Sequence, residues 1–294
     1  MFKVINMTCI GKKRFYIFSL LIITIGFLGV ILGSFFDIRI SEMLYAKNEI
    51  FSSLIEAVCF FPIYMPAILL FILLTEKTNK LFIKAIFTVI SIIGHVIMLY
   101  VGLHYLEKRE MIIVPSYLSI PALTLLSVAV FLYVTRLLKN ASEETLKKLM
   151  YISIIGSIYL LWELLFAQSL KFLAGRPRFE EILNDSSLYF ADWYNFTRQG
   201  GSSFPSGHTA QSCAIFLILF LPLLFSEYKK NTPVFMFSSA LYVIVTALSR
   251  IILGKHFLSD VSFSIFFMGC GLFLLFRYHF RHSEKGSDMC ITVE

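Results

Sequence analysis

The stretch from Ser249 to Asp260 joins two apolar runs, yet it carries a Ser, Arg250, Lys255, His256 and Asp260. His256 and Asp260 are four residues apart, one turn along one face of a helix. At that spacing a carboxylate fixes the tautomer and direction of an imidazole whose other nitrogen is left for chemistry. Arg250 lies near the same edge and suits an anion. Taken alone, the stretch reads more simply as an interfacial turn where a helix ends and polar residues meet water.

Two companions change that reading. The first is Lys171-Phe172-Leu173-Ala174-Gly175-Arg176-Pro177-Arg178, where an apolar run ends. Lys171 and Arg178 are two helical turns apart and share a face if the helix persists, although Pro177 is expected to end it and leaves the direction of Arg178 open. The second is Phe204-Pro205-Ser206-Gly207-His208-Thr209, which reads as a helix N-terminus. Free N–H groups and the positive end of the helix dipole favour a phosphate there, Gly207 lets the backbone approach closely, and His208 is placed to protonate a leaving oxygen. Together the three stretches supply a nucleophile, its orienting carboxylate, an acid/base, several cations and an anion nest. Those are the requirements for metal-free phosphoryl transfer through a phosphohistidine. The carboxylates have no metal-site spacing, so neither a metal nor another cofactor is expected.

The elements that must position these residues are membrane helices. The 294-residue chain is 57% hydrophobic and 15% charged, against roughly 25% charged in soluble proteins. Apolar runs recur at 15–36, 54–74, 81–104, 117–138, 149–170, 208–225, 233–254 and 257–278. The first, at about 1.5 Å per residue, covers about 33 Å and reads as an uncleaved span. The expected fold is therefore all-α, a polytopic bundle of about eight spans forming one membrane domain over 1–294, with 171–260 carrying the chemistry. Asp37–Ile50 reads as a short helix lying in the interface.

Of the 26 Lys and Arg residues, sixteen fall on the side that holds both termini and ten on the other. That excess places both termini in the cytoplasm and the three stretches on the outer face. The net charge of +7 is spread over short loops, which argues against a nucleic-acid partner. Half of the outer cations (Lys171, Arg176, Arg178, Arg250, Lys255) crowd into two stretches, as an anionic ligand would require. Aromatics in the 171–207 loop fit an interfacial belt or a lid over a lipid. Cys9, Cys59, Cys213, Cys270 and Cys290 show no paired spacing and imply no disulfide framework.

Lys-x6-Arg, Pro-Ser-Gly-His and Ser-Arg-x5-His-x3-Asp, in that order, resemble the three signatures of the type 2 phosphatidic acid phosphatase family, which also includes vanadium haloperoxidases and bacterial acid phosphatases. The second and third match at every defining position. The first departs from the pattern, since Arg178 is followed by Phe179 and the proline precedes it. A register on Arg176-Pro177 is the alternative; Arg178 keeps the family spacing. The resemblance implies that His256 attacks phosphorus, Asp260 orients it and His208 protonates the leaving group. It further implies that Lys171, Arg178, Ser206, Gly207 and Arg250 hold the phosphoryl oxygens. Ser249 takes a structural role, and Arg176 and Lys255 are read as steering charges. Integral members resemble six-span proteins with the first motif ending span three; here it ends span five, so two further spans precede it.

Glu163 and His95, inside apolar helices, are read as internal polar contacts. Glu56 is read as interfacial, His104–Glu110 as a solvated turn, and His279 and His282 as cytoplasmic tail. The expected function is hydrolysis of a lipid phosphate or diphosphate, with membrane lipids as surroundings, at the outer face of a bacterial cytoplasmic membrane. Phosphotransfer through the same phosphohistidine and non-catalytic binding or transport of a phosphate lipid are the alternatives.

Overall fold

The computed structural model describes residues 9–47, 49–197 and 199–291. Lys3 and Arg198 of the charge count lie outside them, as do the side chains of Cys9, Ser116, Gln168, Lys285 and Cys290. Every regular element among the described residues is helical. In chain order these are α1 (Cys9–Leu44), α2 (Ile50–Val58), α3 (Phe61–Lys77), α4 (Leu81–Lys108), α5 (Ser116–Lys139), α6 (Glu143–Ala174), α7 (Phe179–Asn184), α8 (Gly207–Ser212), α9 (Phe220–Leu224), α10 (Thr232–Ile252) and α11 (Leu258–Ile291), with 3-10 turns at Cys213–Leu219 and Ser226–Asn231. Eight segments among the described residues are long and apolar enough to cross a membrane; the fifth, Glu143–Asn184, carries the first motif near its end, and the sixth starts at Gly207 within the second. Helices suit this role because they satisfy their own backbone in hydrocarbon. Residues such as Leu21, Phe27, Leu125 and Phe172 are left on the outside of the bundle.

Gly207–Leu224 is the most enclosed of the eight segments. Its Phe216, Leu219 and Phe220 pack with Phe15 and Ile22 of α1 and with Met268, Leu272 and Phe276 of α11. The closest pairing is α1 on α11. A Cβ at Gly26 would stand 2.4 Å from the Phe266 nitrogen, and one at Gly33 would stand 2.5 Å from the Ser259 nitrogen. Small residues let two backbones approach this closely where the hydrophobic effect offers no drive.

Three expectations change. No separate interfacial helix covers Asp37–Ile50: α1 runs on to Leu44 because Asp37 and Ser41, polar in sequence, are buried in the bundle. The helix of the first motif ends at Ala174, ahead of Pro177, where Gly175 takes a left-handed φ of 56°. His279 belongs to α11, not to a tail; it is 4% exposed, and its Nδ1 lies 2.9 Å from the Tyr151 hydroxyl.

Candidate active site

The third motif is not one continuous helix. α10 stops at Ile252, and Gly254, at φ 64°, reverses the chain so that the N–H groups of Lys255 and His256 both point at the Arg250 carbonyl. His256 therefore sits in a turn and Asp260 in the first turn of α11, and the expected stacking on one helical face does not occur. The nearest partner of His256 Nδ1 is the carbonyl of Ser203, at 2.6 Å, while Asp260 Oδ2 stands 3.9 Å away. A carbonyl only accepts, so Nδ1 carries the proton and Nε2 keeps its lone pair.

Asp260 acts one step further out. Its Oδ2 accepts from the Ser203 hydroxyl at 2.5 Å and from the Phe257 N–H at 2.8 Å. It thereby clamps the segment whose carbonyl holds the imidazole. Burial pushes the His256 pKa well below the usual histidine range, and Lys171, Arg250, Arg178 and His208 push it the same way.

Arg176 is not a steering charge. It is 1% exposed, with Nη1 2.5 Å from Asp260 Oδ1 and Nη2 2.9 Å from Asp37 Oδ2. Its Nε donates to the Ala191 carbonyl at 2.7 Å, and Phe257 and Phe190 cover its faces. Asp37 also accepts from the Ser259 N–H at 2.9 Å. With every nitrogen engaged and the side chain sealed from solvent, this guanidinium is not presented to a ligand. Lys255 is likewise buried and bonded to Glu180.

Three other cations are differently placed. Arg250 is 2% exposed and meets Glu56 through Nη2 at 3.0 Å, while its Nε and Nη1 have no partner among the described residues. Arg178, the first residue beyond Pro177, has left the line of α6. It donates to the Ser202 hydroxyl at 2.9 Å, and its Nε has no hydrogen-bond partner among the described residues. Lys171 lies over the start of α8: a Cβ at Gly207 would stand 3.1 Å from its Nζ. Ser206 is already committed, its N–H to the Asp260 carbonyl and its hydroxyl to the Thr209 hydroxyl and N–H. Gly207 and His208 then supply first-turn N–H groups that no helical carbonyl can reach.

The His208 ring packs edge-on against Tyr105 and Phe60, with centroids at 5.0 and 6.4 Å. Its open side faces a cavity of about 390 Å³ walled by Tyr64, Gly94, Ile97, Met98, Val101 and Gln211. Glu163 is fully buried beside Gln211, but neither of its oxygens reaches hydrogen-bonding geometry among the described residues. No three His, Cys, Asp or Glu side chains among the described residues form a metal-binding group.

Sequence reading missed Asp37, Glu56, Arg109, Glu180 and Ser203. Glu56, read as interfacial, is buried between Arg250 and Arg109, and Arg109 is drawn out of its supposed solvated turn. The available signal was a carboxylate in or beside an apolar run of an acid-poor chain. The loop aromatics divide: Trp193 packs on Phe204 and donates to the Ser34 hydroxyl at 2.9 Å, while Tyr189, Tyr194 and Phe196 are exposed.

A family model described as the PAP2 superfamily matches residues 121–284. No curated protein and no solved structure matches the chain.

Proposed function

The chain belongs to the PAP2 superfamily and is thereby a phosphatase acting on phosphate esters, and from that premise we propose that its substrate is a lipid phosphate or diphosphate, cleaved through a phosphohistidine at the outer face of a bacterial cytoplasmic membrane. The observation that carries this reading is the junction at His208. On one side stand His256 and the donors of Lys171, Arg178 and Arg250; on the other, an apolar cavity enters the bundle. A phosphate with a hydrocarbon tail fits both sides at once.

In this mechanism Nε2 of His256 attacks phosphorus in line as the bond to the leaving oxygen breaks. His208 gives that oxygen a proton, so the lipid departs as an alcohol or, from a diphosphate, as a monophosphate. Water then attacks the phosphohistidine, His208 takes the proton of the water, and inorganic phosphate leaves. Arg250, Arg178, Lys171 and the N–H groups of Gly207 and His208 stabilise the charge gathered on the equatorial oxygens. Asp260 holds the Ser203 segment, and through it the imidazole, in the attacking orientation.

The test is phosphate release by purified protein in detergent with a chelator present, from phosphatidic acid, phosphatidylglycerol phosphate, an isoprenoid diphosphate and a lipid A-type phosphate. At least one should turn over, with His256→Ala silent. Full activity of His256→Ala, or loss of wild-type activity in chelator, refutes the mechanism. Labelled phosphate recovered on an added lipid alcohol instead of in solution assigns transfer over hydrolysis.

A further inference from the structure

We infer that Arg109, which follows α4, is a positioning residue for phosphate recognition: by occupying one oxygen of Glu56 it keeps two nitrogens of Arg250 free for the phosphoryl group. The inference rests on the phosphatase reading above. Both Arg109 and Glu56 precede the segment matched by the family model.

The geometry is a carboxylate shared by two guanidinium groups. Glu56 Oε1 accepts from Arg250 Nη2 at 3.0 Å. Its Oε2 accepts from Arg109 Nε at 2.9 Å, with Arg109 Nη2 2.8 Å from the same oxygen. The Glu56 and Arg250 side chains are 4% and 3% exposed, whereas Arg109 at the rim is 13% exposed. A guanidinium facing a carboxylate alone prefers two parallel hydrogen bonds. Arg250 makes one, because Arg109 holds the second oxygen. The result is a buried Arg250 whose Nε and Nη1 have no partner among the described residues, in the same group of cations as Lys171 and Arg178 around His256.

Removing Arg109 frees Oε2. Arg250 can then close on Glu56 with two nitrogens, and an incoming phosphate must compete with a buried carboxylate for the same donors. Loss of Arg109 therefore weakens phosphate binding even though Arg109 never touches the phosphate. The rival account, in which Arg109 contacts the anion directly, predicts a loss that does not depend on Glu56 or Arg250.

A double-mutant cycle separates the two. Orthovanadate inhibition and the KM for phosphatidic acid in detergent micelles are measured for Arg109→Leu alone, in a Glu56→Gln background and in an Arg250→Lys background. Alone, Arg109→Leu should raise both constants about tenfold, the loss of one charge-assisted hydrogen bond. In either background the same substitution should change them less than twofold, since no second carboxylate oxygen competes or no fork remains to close on it. A tenfold loss that persists in both backgrounds, or no loss in the otherwise wild-type chain, overturns the inference. If Glu56→Gln does not fold, the Arg250→Lys arm decides alone. Calorimetric titration with orthovanadate and inorganic phosphate reads the same cycle without turnover. A chain that releases no phosphate thus refutes the phosphatase reading, while the cycle still decides the role of Arg109.

Discussion

Arg176 and Arg178 are two residues apart, and replacing each by Met should break different things. Arg176 is sealed between Asp37 and Asp260, with ion-pair distances of 2.9 and 2.5 Å and 1% of its surface exposed. Removing it strands two buried carboxylates, a change worth about 3–5 kcal/mol. At a few degrees per kcal/mol, the unfolding midpoint should fall by roughly 10 °C. Arg178, whose side chain is 26% exposed, is held by one hydroxyl at 2.9 Å and by Glu181 at 3.9 Å, so its loss should cost the fold under about 1 kcal/mol. A charge-assisted hydrogen bond to a phosphoryl oxygen is worth about 1.5–3 kcal/mol. Arg178→Met should therefore lower kcat/KM and orthovanadate affinity by roughly ten- to a hundredfold at a near-native midpoint. The assay pairs thermal unfolding in detergent with orthovanadate inhibition of phosphate release. Unchanged orthovanadate affinity in Arg178→Met, together with a stable Arg176→Met that has lost it, would overturn this assignment and move the anion contact to Arg176.

Two further outcomes follow from the site. Burial and the neighbouring cations hold the folded-state pKa of His256 well below the ordinary histidine value of about 6.5, so between the two the unfolded chain binds the extra proton. Stability should then fall as pH drops below about 6.5, and the acid limb of kcat/KM assigned to His256 should lie below that pH; a His256→Asn chain that loses stability on acidification as steeply as wild type removes His256 as the cause. At Gly94, on the cavity wall, a Cβ would lie 3.5 Å from Ile68 Cγ1, ordinary contact. Gly94→Ala should be tolerated and Gly94→Leu should depress lipid turnover at least about tenfold more than turnover of a water-soluble aryl phosphate; equal losses on both would place the tail elsewhere.

The features legible in the chain alone were local or periodic. Eight apolar runs imply eight helices, because hydrocarbon leaves the backbone no other open-chain solution. The three motifs are short patterns at helix ends, where hydrogen-bonding groups are left free, so their chemistry is legible without knowing their neighbours. Even there, one continuous helix was assumed for His256 and Asp260, whereas the turn at the left-handed Gly254 leaves His256 ahead of α11 and Asp260 inside it, and the α6 boundary moved from Pro177 to Gly175.

The partners of the charges were decided by tertiary structure alone. Glu56 and Arg250 are 194 residues apart, Asp37 and Arg176 are 139 apart, and the carbonyl that holds His256 lies 53 residues away on Ser203. Neither spacing nor periodicity encodes such pairs. A buried charge takes whichever opposite charge the packing brings within reach, because leaving it alone in a low-dielectric interior costs more than the packing gains. That is why Arg176, Arg178 and Arg250 look alike in the sequence, while in the fold every nitrogen of Arg176 is engaged and the other two keep nitrogens with no hydrogen-bond partner among the described residues.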